Sequence, residues 1–173
     1  MEEIVSKDGT AAAVIERLND IADTYSKDLA AIVENARWLV TLVLAEIAAL
    51  AGYRHLTGAN TLSLAFVLVI LFLGTALLLL VITVIVARYS NQKLRLDVVN
   101  CRKNLTSMLA DPSVSDNDMM KRAPEAESSF LNNLPGLSYW PHQSELWGLV
   151  FLLLASLLGG AFLLLSEVVA FFR

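Results

Sequence analysis

The sequence has one cysteine and few charged residues. Cys101 has no second cysteine to pair with, so an intramolecular disulfide is excluded. Charged residues make up 17% of the 173 residues, against about 25% in a typical soluble domain. The segment 61–87, "TLSLAFVLVILFLGTALLLLVITVIVA", contains no charge at all. As a helix it measures roughly 40 Å, more than the hydrocarbon core of a bilayer at about 30 Å. This absence of charge predicts an integral membrane protein.

Residues that carry enzyme chemistry are also scarce. The two histidines, His55 and His142, are expected on opposite sides of the membrane, and one cysteine cannot build a metal cluster. No glycine-rich phosphate-binding loop occurs in the sequence. We therefore expect no enzymatic activity and no cofactor or metal.

Three membrane spans are predicted, at about 37–53, 61–87 and 147–172. The short connection "YRHLTGAN" makes the first two an antiparallel hairpin. The expected fold is an all-α membrane protein with three transmembrane helices and cytoplasmic amphipathic helices. Its predicted divisions are an amphipathic helix (1–35), a transmembrane hairpin (36–88), a cytoplasmic helix and loop (89–146) and a third transmembrane helix (147–173).

Positive charges near the span ends set the expected orientation. They concentrate on one side of the predicted hairpin, at Arg17, Lys27, Arg37, Arg88, Lys93 and Arg95. The opposite side has only Arg54 and Arg173. We expect a multi-pass protein of a bacterial inner (plasma) membrane, with the N-terminus and segment 88–146 in the cytoplasm and the C-terminus outside.

Two apolar stripes flank the hairpin. Before the first span the stripe comprises Val14, Leu18, Ile21, Tyr25 and Ile32, and after the second span it comprises Leu94, Val98, Cys101, Leu105 and Met108. Steps of three and four residues are typical of one face of an amphipathic helix. Such stripes can pack within one subunit or between subunits, and the two alternatives are compatible.

Segment 111–146 is rich in Ser, Asn, Asp and Pro. It predicts a loop with short helical turns that leads back to the membrane. Ser144 is a candidate cap for a third helix that starts near Trp147.

Two acidic residues interrupt the predicted spans, Glu46 in the first and Glu167 in the third. From Arg37 to Glu46 a helix rises about 14 Å, and from Glu46 to Arg54 about 12 Å, which places Glu46 well inside the hydrocarbon. A carboxylate at that depth usually faces a bundle interior or a water-filled cavity. Repeated around a homo-oligomer, the two acids would form rings that favour cations. The alternative is a protonated carboxyl bonded to a neighbouring group, for which Ser166 is the local candidate beside Glu167.

Small residues indicate where helices approach closely in lipid. The first span carries Ala45, Ala48, Ala49 and Gly52, and the third carries Ala155, Ser156, Gly159 and Gly160. We therefore expect the first and third spans to face protein and the second span to be more exposed to lipid.

A group of cations follows the second span: Arg88, Lys93, Arg95, Arg102, Lys103, Lys121 and Arg122. They can fix the topology and contact anionic lipid head groups. Alternatively, they can bind an anion such as a nucleotide second messenger. Arg102 with Lys103, and Lys121 with Arg122, are then the best members.

The arrangement of a cytoplasmic helix, a tight hairpin and a basic helix resembles small bacterial membrane effectors of the SLATT type. The residues concerned are "ARWLVTLVLAEIAALAGYRHLTGAN", "VITVIVARYS" and "NQKLRLDVVNCRKNL". The resemblance implies a pore that a signal from a partner enzyme opens during antiphage defence. It is architectural and covers about residues 11–110, and the third predicted span departs from its two-span pattern.

Two functions are expected on these grounds. The first is a homo-oligomeric pore or channel-like effector, gated by a cytoplasmic signal, that depolarises the membrane. The second is a non-conducting membrane scaffold whose cytoplasmic helices recruit a soluble partner protein.

Overall fold

The protein is all-helical, as predicted. A computed structural model describes residues 7–57 and 64–171, with side chains at 9–55, 66–132, 134, 136–137 and 139–161. The helices in this part of the chain are α1 (Lys7–Thr57), α2 (Leu64–Ala110) and α3 (Asp116–Phe171). Each contains a stretch long and apolar enough to cross a membrane, which confirms the architecture of a multi-pass membrane protein.

The helices contribute to two compact units. We call the first the head bundle, which comprises Met1–Ala31 and Ala87–Trp140. We call the second the span bundle, which comprises Ile32–Val86 and Pro141–Arg173. The predicted amphipathic helix and first span are therefore consecutive parts of the single helix α1.

The head bundle has a core that excludes water. Its buried members come from all three helices: Ala11, Val14, Leu18, Leu94, Leu105, Met119, Ala123, Phe130, Leu134 and Leu137. Ile21, Tyr25, Val98, Cys101 and Met108 pack against them. Both predicted stripes thus meet within one subunit, apart from Ile32, which belongs to the span bundle. The register of α1 against α2 is marked by Ser26, whose hydroxyl donates to Asn91 Oδ1 at 3.2 Å.

The prediction of a loop over 111–146 is wrong, because α3 begins at Asp116 and continues to Phe171. The Ser115 hydroxyl accepts a hydrogen bond from the Asp118 backbone N–H at 3.1 Å and donates to Asp118 Oδ2 at 2.8 Å. Ser115 is therefore the N-cap of α3, and its hydroxyl satisfies one backbone donor at the helix start. The hydrogen bond from Ser115, with smaller contributions from Arg122 and Lys121, lowers the pKa of Asp118.

Tertiary packing explains why α3 stays helical despite Pro124, Pro135 and Pro141. Each proline removes one backbone donor and disfavours the helix locally. Met119, Ala123, Phe130, Leu134 and Leu137 nevertheless repeat on one face, and all are buried in the head bundle. Burial of such side chains stabilises by about 1.5–3 kcal/mol for each large one. A third helix starting near Trp147 is therefore also a wrong prediction, and Ser144 lies inside α3.

The span bundle has an apolar interior and an apolar exterior. The buried core comprises Ala36, Val43, Leu50, Val69, Leu73, Ala76, Leu80, Leu152 and Ala155. Large apolar side chains that are exposed include Leu44, Leu71, Leu78, Ile85, Leu153 and Leu157. A soluble surface rarely carries so much contiguous apolar area. The exterior therefore suits contact with lipid.

The expectation that the second span faces lipid most is wrong within the subunit. In their most apolar windows, α2 has 28% of its residues buried, against 17% in α1 and 22% in α3. The reason is that α2 supplies the regularly spaced core residues Val69, Leu73, Ala76 and Leu80.

Candidate functional site

Glu46 joins α1 to α3 in the span bundle. The Ser156 hydroxyl lies 2.5 Å from Glu46 Oε1 and donates to it. The same hydroxyl oxygen lies 3.0 Å from the carbonyl oxygen of Leu152, one turn back on α3. An ionised Glu46 accepts from Ser156, whereas a protonated Glu46 can donate to it while Ser156 donates to Leu152. In both arrangements the carboxyl group is hydrogen-bonded to a second helix.

The pair lies in a groove on the surface of the span bundle. The cavity has a volume of about 210 Å³ and opens outward. It is lined by Glu46, Ala49, Leu50, Tyr53, Val69, Ala155, Ser156, Gly159 and Gly160. Glu46 is half-buried and Ser156 is exposed. Two hydrogen-bonding groups thus stand in an otherwise apolar groove that the subunit itself leaves partly open.

The small residues of α1 do not pack inside the subunit, and of the four only Ala49 lines the groove. Ala45, Ala48, Ala49 and Gly52 are all exposed. A Cβ built on Gly52 has no neighbour within 4 Å. The predicted helix-packing face of α1 is therefore exposed on the surface of the subunit.

The small residues of α3 divide between two environments. Ala155 and Gly159 are buried, and a Cβ on Gly159 lies 3.8 Å from Val69 of α2. Gly160 and Ser156 are exposed. The third span thus uses one side against α2 and leaves the other beside Glu46.

A second polar contact, not predicted from the sequence, joins α2 to α3. The Thr83 hydroxyl is fully buried and lies 2.8 Å from the Ser144 hydroxyl. Ser144 donates to the carbonyl oxygen of Pro141 at 3.1 Å. Close by, a Cβ on Gly148 would lie 2.9 Å from Leu80 Cδ2. The signal that could have found this contact is a hydroxyl residue in the run "VITVIVA".

Glu167 and Ser166 lie on the helical backbone of α3. Their side chains are outside the described residues, so a second acidic layer at Glu167 stays a prediction.

The seven cations are all exposed on the head bundle. Arg88, Arg95 and Arg102 are seven residues apart and share one side of α2. Lys121 and Arg122 lie near the start of α3.

The head bundle also has a polar cavity of about 220 Å³ between α2 and α3, and no cation lines it. Its lining residues are Asp97, Asn100, Cys101, Asn104, Ala126, Ser129 and Phe130. Burial, and to a smaller extent the charge of Glu127, raises the pKa of the Cys101 thiol. An anion site built from the seven cations therefore does not coincide with this cavity.

Among the side chains described at 9–55, 66–132, 134, 136–137 and 139–161, no group of three His, Cys, Asp or Glu is placed to hold a metal ion. Comparison with protein-family models, curated proteins and solved structures finds no match to this chain. The class that the fold defines is an all-α, multi-pass membrane protein with a second helical bundle that buries an apolar core and exposes its charges.

Proposed function

We propose that copies of this chain assemble in a bacterial inner membrane into a pore, with the groove around Glu46 turned toward the axis of the assembly. The observation that carries the proposal is the hydrogen bond between Glu46 and Ser156 in an open groove. The distances along α1 to Arg37 and Arg54 support a position within the hydrocarbon.

A single subunit in lipid bears the cost of exposing Glu46. A charged side chain at the centre of a lipid-facing helix costs about 2.5–3.5 kcal/mol on translocon scales. The bond to Ser156 reduces this cost, but the groove still exposes both groups to acyl chains. Covering the groove with further copies of the chain, or with water, removes that exposure. The exposed Ala45, Ala48, Ala49 and Gly52 permit close approach of a neighbouring helix.

The lining predicts how such a pore behaves. Glu46 from each copy forms an acidic ring, which favours cations over anions. The other lining residues of the groove are mainly apolar or small. A narrow apolar passage of this kind closes by losing its water, so small helix movements are sufficient to gate it.

The trigger and the biological role extend the proposal further. The head bundle, in the cytoplasm by the distribution of Lys and Arg, is the part that receives a signal. A nucleotide second messenger or a partner protein is the proposed trigger, with depolarisation during antiphage defence as its consequence. These steps rest on the resemblance to SLATT-type effectors.

Ion flux from liposomes tests the pore. With cell extract as the source of the trigger, wild-type protein should release K⁺ and exclude Cl⁻, whereas Glu46→Gln, which keeps the shape of the side chain, should lose most of that discrimination. Glu34→Gln is the matched control, because Glu34 is an exposed acid three turns away on the same helix. If Glu46→Gln behaves like Glu34→Gln, Glu46 does not line a pore.

A membrane scaffold is the alternative outcome of the same experiment. A scaffold releases no ions in liposomes with or without cell extract, yet it retains a soluble partner on pull-down. If altering the exposed charges of the head bundle then abolishes binding of that partner, the protein is a scaffold and the pore proposal is rejected.

A further inference from the structure

We infer that the head bundles of neighbouring copies join head to tail, with an acidic strip on α1 of one copy against a basic strip on α2 of the next. The acidic strip is Glu16, Asp20 and Asp23, and the basic strip is Arg95, Arg102 and Lys103. This inference rests on the homo-oligomeric part of the proposed function and does not require that the assembly conducts.

The acidic strip lies on the outside of α1. Glu16, Asp20 and Asp23 are separated by four and three residues, so they share one helix face. All three are exposed, and they lie opposite the core residues Val14 and Leu18.

The basic strip lies on an exposed side of α2. Arg95 and Arg102 are seven residues apart, and Lys103 adjoins them. Asp97 is the only acidic residue in the sequence of α2, and it lies about 200° around the helix from Arg95. Leu96 and Val99, 57% and 59% exposed, lie among these cations. A partner for this side of α2 must therefore offer acidic groups at the edge of a surface that covers two apolar side chains.

The two strips lie at matching heights. Ser26 of α1 and Asn91 of α2 are hydrogen-bonded and mark one level. Counted from that level at about 1.5 Å per residue, Asp23 is at roughly 4.5 Å and Arg95 at roughly 6 Å. By the same count Glu16 is at roughly 15 Å and Arg102 at roughly 16.5 Å.

Membrane symmetry makes this match meaningful. Copies related by rotation about the membrane normal keep every residue at its own height. An acid on α1 of one copy then meets the cation that lies at the same level on α2 of the next copy. The two strips are different surfaces, so the contact is of the head-to-tail kind that closes into a ring.

The outer face of α3 does not offer the same complement. That face mixes both signs, with Asp118 and Glu125 on either side of Lys121 and Arg122. The α1 strip has three acids, bordered by Arg17 at three residues before Asp20 and followed along the chain by Lys27. Among the described faces of the head bundle, the α1 strip is therefore the best match for the basic strip.

Cross-linking between differently tagged copies tests the contact. The full-length chain carries Cys101→Ser, and one copy carries Asp23→Cys while the other carries Arg95→Cys. After co-expression, membranes are treated with a short bifunctional maleimide. Mixed dimers should form about tenfold more efficiently than with Lys93→Cys as the second position, because Lys93 points about 200° away from Arg95. Equal yields at positions 93 and 95, or efficient linking between two Asp23→Cys copies, would overturn the head-to-tail contact.

Charge reversal gives an independent readout of assembly. Glu16→Lys with Asp23→Lys, or Arg95→Glu with Arg102→Glu, should each reduce oligomers on native gels, and the chain with all four changes should recover them. Lys121→Glu with Glu125→Lys, which reverses two exposed charges on α3, is the matched control and should assemble normally. Suppose that only the α2 variant loses assembly and that the chain with all four substitutions does not recover it. The basic strip then binds anionic lipid instead, and the inference fails.

Ion flux separates this inference from the proposed pore. If assembly depends on the two strips but no ions pass, the pore proposal is rejected and the head-to-tail contact stands. If ions pass and neither charge reversal changes the flux, the pore proposal stands and the head-to-tail contact is rejected.

Discussion

The head bundle and the span bundle are built from the same three helices, yet they use opposite surfaces. The head bundle buries its large apolar side chains and exposes charge, and its apolar core is what stabilises it in water. The span bundle exposes leucine and isoleucine and places hydroxyls and a carboxyl group between helices. In lipid the burial of apolar area drives association little, so close packing and hydrogen bonds decide which faces meet. The comparison teaches that a helix with a buried apolar face and a helix with an exposed apolar face need different kinds of evidence.

The largest difference should appear on truncating a core leucine of the head bundle. Leu105 is fully buried, so Leu105→Ala should cost about 2–5 kcal/mol, since it removes apolar burial and leaves a cavity. Met120→Ala, at an exposed position of the same bundle, should change stability by less than about 0.5 kcal/mol. The urea dependence of protease cleavage within the head bundle measures both. Similar costs at the two positions would contradict the assigned core.

In the span bundle, added volume should matter more than lost hydrophobicity. Gly148→Ala places a Cβ about 2.9 Å from Leu80, and such overpacking typically costs about 1–3 kcal/mol. Gly74→Ala, where a Cβ has no neighbour within 4 Å, should be neutral or stabilising. Thermal unfolding in detergent compares the two, and Leu80→Ala should relieve the defect of Gly148→Ala. Equal midpoints for the two glycine variants would show that α2 and α3 do not approach closely there.

The buried hydroxyl contact should have a smaller effect. Thr83→Val keeps the side-chain shape and removes the contact to Ser144. Inter-helix hydrogen bonds in membranes contribute about 0.6 kcal/mol on average. Thr75→Val is the matched control, because the Thr75 hydroxyl is exposed and bonds to the Leu71 carbonyl of its own helix. In the same measurement, Thr83→Val should have a lower unfolding midpoint than Thr75→Val. The reverse order would contradict an inter-helix role for the Thr83 hydroxyl.

The smallest effect concerns the ionisation of Cys101. Its raised pKa keeps the thiol protonated to higher pH than in an unfolded chain. Its contribution to stability is therefore present below the ordinary thiol pKa and declines as the pH rises through the folded pKa. Maleimide labelling against pH should show a mid-point above that of an unfolded chain, and Glu127→Gln should lower it modestly. A Glu125→Gln control should leave the curve unchanged, whereas a mid-point below the ordinary value would contradict burial at Cys101.

The spacing of apolar residues predicted those parts of the fold in which one face of a helix is apolar and the other is polar. The stripe that contains Val14 and Leu18 and the stripe that contains Leu94 and Leu105 both reach the core, and the uncharged run 61–87 predicted a spanning helix. Composition misled for segment 111–146, because its prolines and serines outweighed the repeat of Met119, Ala123 and Phe130. The pair Ser115 and Asp118 was the available signal for a helix start.

Of the candidate site, the sequence predicted individual residues but not the contacts between them. The sequence identified Glu46 and Ser156 separately, one as a charge in an apolar run and the other as a small residue. Their hydrogen bond depends on the register of α1 against α3, which no local pattern reports. The Thr83–Ser144 contact and the close approach at Gly148 also depend on side-chain packing between distant segments.

The reversal potential of purified protein in a planar bilayer under a KCl gradient tests the central claim most directly. The account predicts a cation-selective current whose reversal potential moves toward zero in Glu46→Gln and stays in place in Glu34→Gln. An absence of current under all triggers, or an unchanged reversal potential in Glu46→Gln, would contradict it.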